Sequence, residues 1–169
     1  MAVPAFTLIN PIFVITGLER SLEYAQLLQG VMFASLTQLA GRLIVPVLSD
    51  RTGKEAALLL NFVLCGVSVS MLAFATGFSF ILFFMLLAFA FGGFMGIYPA
   101  VSTHYFGVKN AGLNYGVVML GFSLASLLSP VLSRAAQATP MGASLSFLIA
   151  GGACAVGIVT VECGEIVEQ

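Results

Sequence analysis

Charge is what this 169-residue chain has least of: six Lys and Arg, seven Asp and Glu and one His, 8% charged residues in all, for a net charge of -1. Soluble domains carry roughly 25% charged residues. With 60% hydrophobic residues, 15 Phe, no Trp and a mean hydropathy of +1.09, a water-dissolved monomeric globule is excluded, and lipid is the solvent for most of the chain. The scarcity of cations also excludes nucleic acid as a partner, because the few basic residues are scattered where a phosphate-binding surface needs them clustered. Cys65, Cys154 and Cys163 are far apart and mostly in apolar runs, with neither ligand spacing nor pairing, and read as small core residues. No Walker loop or His-Glu-x-x-His pattern occurs, so no cofactor or metal is expected.

What is present is hydrophobic length. A spanning helix needs about 20 mainly apolar residues, and five such runs are clear, at 25–48, 56–76, 78–100, 111–131 and 142–161. A shorter run at 3–18, interrupted by Pro4 and Asn10-Pro11, would reach only about 24 Å against a hydrocarbon core of about 30 Å, and reads as a helix missing its beginning. A cleavable signal peptide is the rival reading of this run, but it lacks a charged n-region and a small-residue cleavage site. The fold class expected is all-α, one polytopic membrane bundle of about six transmembrane helices over residues 1–169. Six spans put both termini on one side. Arg51, Lys54 and Lys109 fall in loops two and four, against Arg20 and Arg134 in loops one and five, and the positive-inside rule then places both termini in the cytoplasm. The plasma membrane is expected ahead of an organelle.

Two pairs of glycines, Gly92 with Gly96 and Gly112 with Gly116, have the Gly-x-x-x-Gly spacing that lets helix backbones approach closely in lipid. The fourth and fifth helices are therefore expected in the interior or against another bundle.

The densest charge lies at Gly41 to Glu55, which holds three of the six cations and two of the seven acids. Asp50 ends one helix in this reading, Thr52-Gly53 turn the chain, and Asp50 can accept bonds from orphan amides at a neighbouring helix N-terminus. Arg51 and Lys54 anchor the turn among anionic headgroups. The run Gly-Arg-Leu-Ile-x-x-x-Leu-Ser-Asp-Arg-x-Gly-Lys resembles the signature found after the second and eighth helices of major facilitator superfamily transporters. Pro46 stands where a second Gly is usual, and Glu55 where a further cation is usual. A second stretch, Phe91 to Ala100, then Tyr105 to Gly112, Tyr115-Gly116 and Pro130, is similar to helices ten and eleven of the oxalate/formate antiporter family, relatives of the monocarboxylate transporters. The resemblance covers about a third of the chain. It implies half of a twelve-helix fold, the C-terminal half, with helices seven to twelve present, the seventh truncated and an N-terminal six-helix half missing. It also implies a cytoplasmic latch built on Gly41, Asp50, Arg51, Gly53 and Lys54.

Arg42 is the sharpest single residue. It lies eight residues before Asp50, about 12 Å inside the helix end, and an intramembrane Arg costs at least roughly 2.5–3.5 kcal/mol on insertion scales. Gln38 and Ser35 precede it on the same helical face, a polar stripe suited to a water-filled cavity. A guanidinium fork matches a carboxylate, and the resemblance implies that role for an arginine in this helix. The alternative is structural, Arg42 snorkelling to the headgroups or bracing the Asp50 turn. In the fifth helix Ser123 and Ser126, with Met119 one turn earlier, give a mildly polar face. Oxalate-type members place a second cation in this helix, and none occurs between Ala111 and Pro130. One cation neutralises one anion, so a monocarboxylate such as formate, lactate or pyruvate fits better than oxalate.

The function expected is secondary active transport of small organic anions by alternating access, as an antiporter or symporter driven by an ion or substrate gradient. The alternatives are a split module that needs its N-terminal partner half, and a carrier of an uncharged solute. An intramembrane enzyme is not expected, because no nucleophile and base pair up among Ser, Cys and the lone His104. His104, beside Tyr105 in the fourth loop, reads as an interfacial residue ahead of a proton sensor, and Pro99 and Pro130 as residues that end or bend helices.

Overall fold

A computed structural model describes residues 3–20, 22–137 and 152. Among the described residues all regular structure is helical: α1 (Val3–Glu19), α2 (Tyr24–Thr52), α3 (Lys54–Phe74), α4 (Phe78–Phe106) and α5 (Ala111–Gln137). Four of these, α2 to α5, are long and apolar enough to cross a membrane. The 17 residues of α1 reach about 26 Å, short of a full span, as expected. The sixth run, 142–161, lies outside the described residues apart from Gly152.

Three helices run past their expected C-terminal ends: α2, expected to end near 48, runs to Thr52, α4, near 100, to Phe106, and α5, near 131, to Gln137, whereas α3, expected over 56–76, spans Lys54–Phe74 and ends two residues early. Prolines are the reason for the difference at α4: Pro99 does not stop the helix but lies inside it, since packed neighbours tolerate the one amide bond it removes. His104 and Tyr105, expected in a loop, therefore belong to the last turn of α4. Pro46 likewise lies inside α2, and α1 continues through Asn10 and Pro11.

Packing centres on α4, which is also the most apolar helix and the most buried of the spans. Helices α2 and α4 run parallel, with Gly30 beside Ile81, Gly41 beside Phe89 and Arg42 beside Gly96. The reverse-running α3 fills the groove between them, pairing Asn61 with Ala90 and Phe62 with Phe94. Along the other side, α1 runs against α4 through stacked rings: Phe13 lies 3.8 Å from Phe84 and 5.0 Å from Phe80, and Phe6 lies 4.3 Å from Phe91, centroid to centroid. Helix α5 joins through α1 and α4, with Phe122 at 6.2 Å from Phe91. The buried residues form a large core around Phe13, Phe80, Phe84 and Leu87, and a separate small one of Val45, Ala57 and Ile97.

Candidate functional site

The α2–α4 seam carries the candidate site and is the closest helix contact in the bundle. A Cβ on Gly41 would fall 2.1 Å from the carbonyl oxygen of Phe89, one on Gly92 2.0 Å from that of Gln38, and one on Gly96 2.7 Å from that of Arg42. Only Cα–H groups fit against those oxygens, making the weak Cα–H···O contacts typical of helix crossings. Gly93 completes the seam, with Val45 and the Asn61 carboxamide where its side chain would be. Polar bonds hold α4 on both sides: the Thr37 hydroxyl of α2 is shared between Ala34 O at 2.9 Å and Met85 O of α4 at 3.1 Å, and Asn61 Nδ2 of α3 donates to Ala90 O of α4 at 2.8 Å. In lipid, where no hydrophobic drive separates helix from tail, such contacts hold helices together. Asn61 and Thr37 stand in no motif; their one sequence signal is a polar group inside an apolar run.

Pro46 explains its own departure from the signature. Its ring sits 2.7 Å from the position of a Gly96 Cβ, so the small residue that α2 lacks is supplied by α4. Lacking an N–H, Pro46 also leaves the Arg42 carbonyl without its helical donor, and that oxygen is the one facing Gly96. The second glycine pair behaves differently. Gly112 and Gly116 meet nothing within 4 Å among the described residues, so the shared spacing serves the α2–α4 contact in one case and an open face of α5 in the other.

Arg42 is exposed on α2, ten residues before the helix ends at Thr52, which is about 15 Å. Its guanidinium has no hydrogen-bond or ion-pair partner among the described residues. Gln38, one turn earlier, is half-buried and Ser35 exposed, so the three form a stripe along one side of the seam. The Ser35 hydroxyl donates to Val31 O at 3.0 Å and the Ser123 hydroxyl to Met119 O at 3.0 Å. Both protons are thus held by their own helices, which leaves Arg42 and the Gln38 amide as the donors an anion would meet. Ser123 stands on α5, which packs against α1 and α4, so α4 separates it from the packing contacts of α2.

At the far end of α2 the connection to α3 is one residue. Gly53 has φ 95° and ψ 149°, a region open essentially to glycine alone, and its N–H bonds Ser49 O at 3.0 Å while its carbonyl accepts from Ala57 N at 3.1 Å. The expected bond from Asp50 to a neighbouring helix amide is not made among the described residues, and α3 has no side-chain cap. Instead, Asp50, Lys54, Glu55 and His104 line a pocket of about 520 Å³. The Tyr105 hydroxyl donates to Glu55 Oε1 at 2.5 Å, so the acid that stands where a further cation is usual ties α3 to α4. His104 packs edge-on to Tyr105 at 5.5 Å. No group of His, Cys, Asp and Glu able to hold a metal occurs among the described residues.

The opposite end holds a residue whose sequence context gave only a charge. Arg20, between α1 and α2, donates through Nη1 to Leu72 O at 3.0 Å and to Ala75 O, and through Nη2 to Ala73 O at 2.9 Å. These carbonyls sit at the C-terminus of α3, where helix carbonyls have no internal donor and the macrodipole favours a cation. The guanidinium also lies 4.9 Å from the Phe80 ring centre, a cation–π contact. Partial burial pulls the Arg20 pKa below its ordinary value, with Glu19 acting the other way.

Comparison with known proteins fits this geometry. Residues 1–163 match the family model of the Major Facilitator Superfamily. The chain is 31% identical over 108 residues to an uncharacterized MFS-type transporter, YhjX, of Escherichia coli, an alignment covering 63% of this chain and 27% of that protein. It thus spans about a quarter of the length of this curated relative. No solved structure matches. A match over nearly the whole sequence, on an all-helical bundle of apolar spans with the signature turn between α2 and α3, shows that the chain belongs to the major facilitator superfamily.

Proposed function

We propose that this chain is the C-terminal six-helix half of a secondary active transporter, similar to oxalate/formate antiporters, that carries small monocarboxylates by alternating access. The observation that carries the reading is Arg42: a cation about 15 Å inside a spanning helix, exposed, and without a partner among the described residues. A charge at that depth is costly unless it faces water or an anion. Gln38 adds an amide donor, Ser35 stands on the same stripe, and the fixed α2–α4 seam holds the stripe in place; Ser123, on α5, would join the site only across the cavity that an N-terminal half closes. With no second cation on α5 between Ala111 and Pro130, one bound negative charge balances the site, which favours formate, lactate or pyruvate over a dianion.

In this reading an N-terminal half closes over the exposed faces of α2 and α5, placing the site near the midplane between the two bundles. The Asp50, Arg51, Gly53 and Lys54 turn faces the cytoplasm, as do both termini. Arg20 then lies on the opposite side, and its capping of α3 accounts for a cation there that the positive-inside count alone does not favour. The test is counterflow of labelled formate and labelled lactate in vesicles containing the full-length gene product and its Arg42→Lys and Arg42→Gln variants. Loss of exchange with Arg42→Gln, and partial retention with Arg42→Lys, is expected. Unchanged exchange in both variants sinks the anion-site reading.

A further inference from the structure

We propose that the groove between α2 and α4 at the Arg20 end holds one zwitterionic phosphoglyceride of that leaflet, with an acyl chain along the groove and the headgroup at Glu23, Gln26 and Gln29.

The groove consists of two hollows that follow one another along the helices. The first, of about 220 Å³, is lined by Gln26, Gln29, Phe33, Phe78 and Ile81, and the second, of about 300 Å³, by Thr37, Leu82, Met85, Leu86 and Phe89. Gln26, Phe33 and Thr37 are spaced by seven and four residues, and Phe78, Leu82, Met85 and Phe89 by four, three and four, so each set shares one helix face. The two hollows are one track. Gln26 to Thr37 and Phe78 to Phe89 are each eleven residues, about 16 Å of helix, against about 15 Å for half the hydrocarbon core. The track therefore has the depth of one leaflet. It ends where Gly41 meets the Phe89 carbonyl and the two backbones touch.

The chemistry changes along the track as it does along a lipid. In the second hollow Thr37 is the one polar residue among those lining it, and its hydroxyl is already shared between Ala34 O and Met85 O. That leaves hydrocarbon as the matching occupant. A helix about 10 Å across would fill more than about 1,000 Å³ over the same length, so hollows of this size suit a single chain. At the mouth, Tyr24 is 57% exposed, in keeping with an aromatic at the interface. Gln26 and Gln29 are exposed, and their carboxamides make no hydrogen bond among the described residues. Each offers donors and an acceptor to ester and phosphate oxygens. Glu23, one turn before Gln26, is also exposed and does not cap α2 through its side chain, while Arg20 is committed to the α3 carbonyls. A headgroup here meets a carboxylate, which favours one bearing an ammonium group over an anionic one.

This groove is separate from the candidate solute site. Phe33 and Thr37 lie on one flank of Gly41, and Gln38 and Arg42 on the other, at 3.6 residues per turn. The proposal therefore stands or falls independently of Arg42 and of the solute carried.

The experiment places the full-length gene product in nanodiscs containing a trace of phosphatidylcholine with a diazirine in one acyl chain, and maps photoadducts by peptide. The ratio of adducts on 33–37 and 82–89 to adducts on the exposed face of α3, Leu60 to Met71, is the readout. In bulk phosphatidylcholine this ratio is expected to be at least about 5-fold, a preference of about 1 kcal/mol. Leu82→Trp fills the groove from a half-exposed position and should bring the ratio to about one, whereas Val67→Trp on α3 should not. Combined Gln26→Leu and Gln29→Leu should lower it by about 2- to 10-fold. In bulk phosphatidylglycerol, which competes less well, the unsubstituted protein should show a ratio about 2- to 5-fold higher than in phosphatidylcholine, and Glu23→Gln should remove that difference. A ratio of one or less in the unsubstituted protein, as when a second protein helix covers the groove, overturns the proposal. So does a ratio indifferent to Leu82→Trp or to the paired glutamine substitutions, or one equal in the two bilayers.

Discussion

Replacing Gly92 by Ala tests the tightest contact in the molecule. The new Cβ would lie 2.0 Å from the Gln38 carbonyl oxygen and 2.8 Å from its carbon, both backbone atoms of a packed helix, so no side-chain rotation relieves the clash. Ordinary contact requires α2 and α4 to separate by more than about 1 Å. The Thr37 to Met85 bond, now 3.1 Å, would then pass beyond hydrogen-bond range, losing about 0.6 kcal/mol on the average for membrane helices. Overpacking of this kind costs about 1–3 kcal/mol, for a total of about 2–4 kcal/mol. Gly112→Ala and Gly116→Ala are the controls, since nothing lies within 4 Å of either position among the described residues. Alanine's better helix propensity gives them a neutral or slightly stabilising effect, up to about 1 kcal/mol. Unfolding of purified protein in mixed micelles of increasing SDS content reads all three. If Gly92→Ala unfolds no earlier than Gly112→Ala, the account of the seam is wrong.

Arg20→Ala should cost about 2–3 kcal/mol in the same unfolding assay, since it removes charge-assisted bonds to three α3 carbonyls, and Arg20→Lys should recover less than half because an ammonium lacks the planar fork. Gly53→Ala forces a side chain into a glycine-only conformation and should lower stability by about 1–3 kcal/mol; a neutral result would mean the α2–α3 turn adopts another shape. Tyr105→Phe removes an exposed bond to Glu55, with an expected loss of about 0.5 kcal/mol, and should leave the unfolding of Glu55→Gln unchanged when the two are combined. Arg42→Gln, by contrast, should leave stability within about 0.5 kcal/mol while abolishing monocarboxylate counterflow.

Much of the architecture is legible in residue order because it rests on local or one-body energies. Apolar run length fixes which segments prefer lipid, so α2 to α5 stand where the hydropathy put them, and α1 is short for the same reason. The signature from Gly41 to Lys54 marks its turn because Gly53 alone can take the required φ. Helix ends were less legible. Pro99 reads locally as a stop, but α4 continues seven residues past it because contacts with α2 and α3 outweigh one missing bond.

What each polar or small residue faces was decided by tertiary packing alone. Gly92-x-x-x-Gly96 and Gly112-x-x-x-Gly116 have the same spacing, yet the first meets α2 at van der Waals limits and the second meets open space among the described residues. Arg20 and Arg42 are the same residue type, yet Arg20 is spent on the carbonyls of α3 while Arg42 is left with its charge uncommitted. Likewise Glu55 and Tyr105 lie fifty residues apart and bond at 2.5 Å. Spacing along a helix determines which side chains share a face; only the neighbouring helix determines what that face touches, because contact energies act over a few ångströms in space and are blind to distance along the chain.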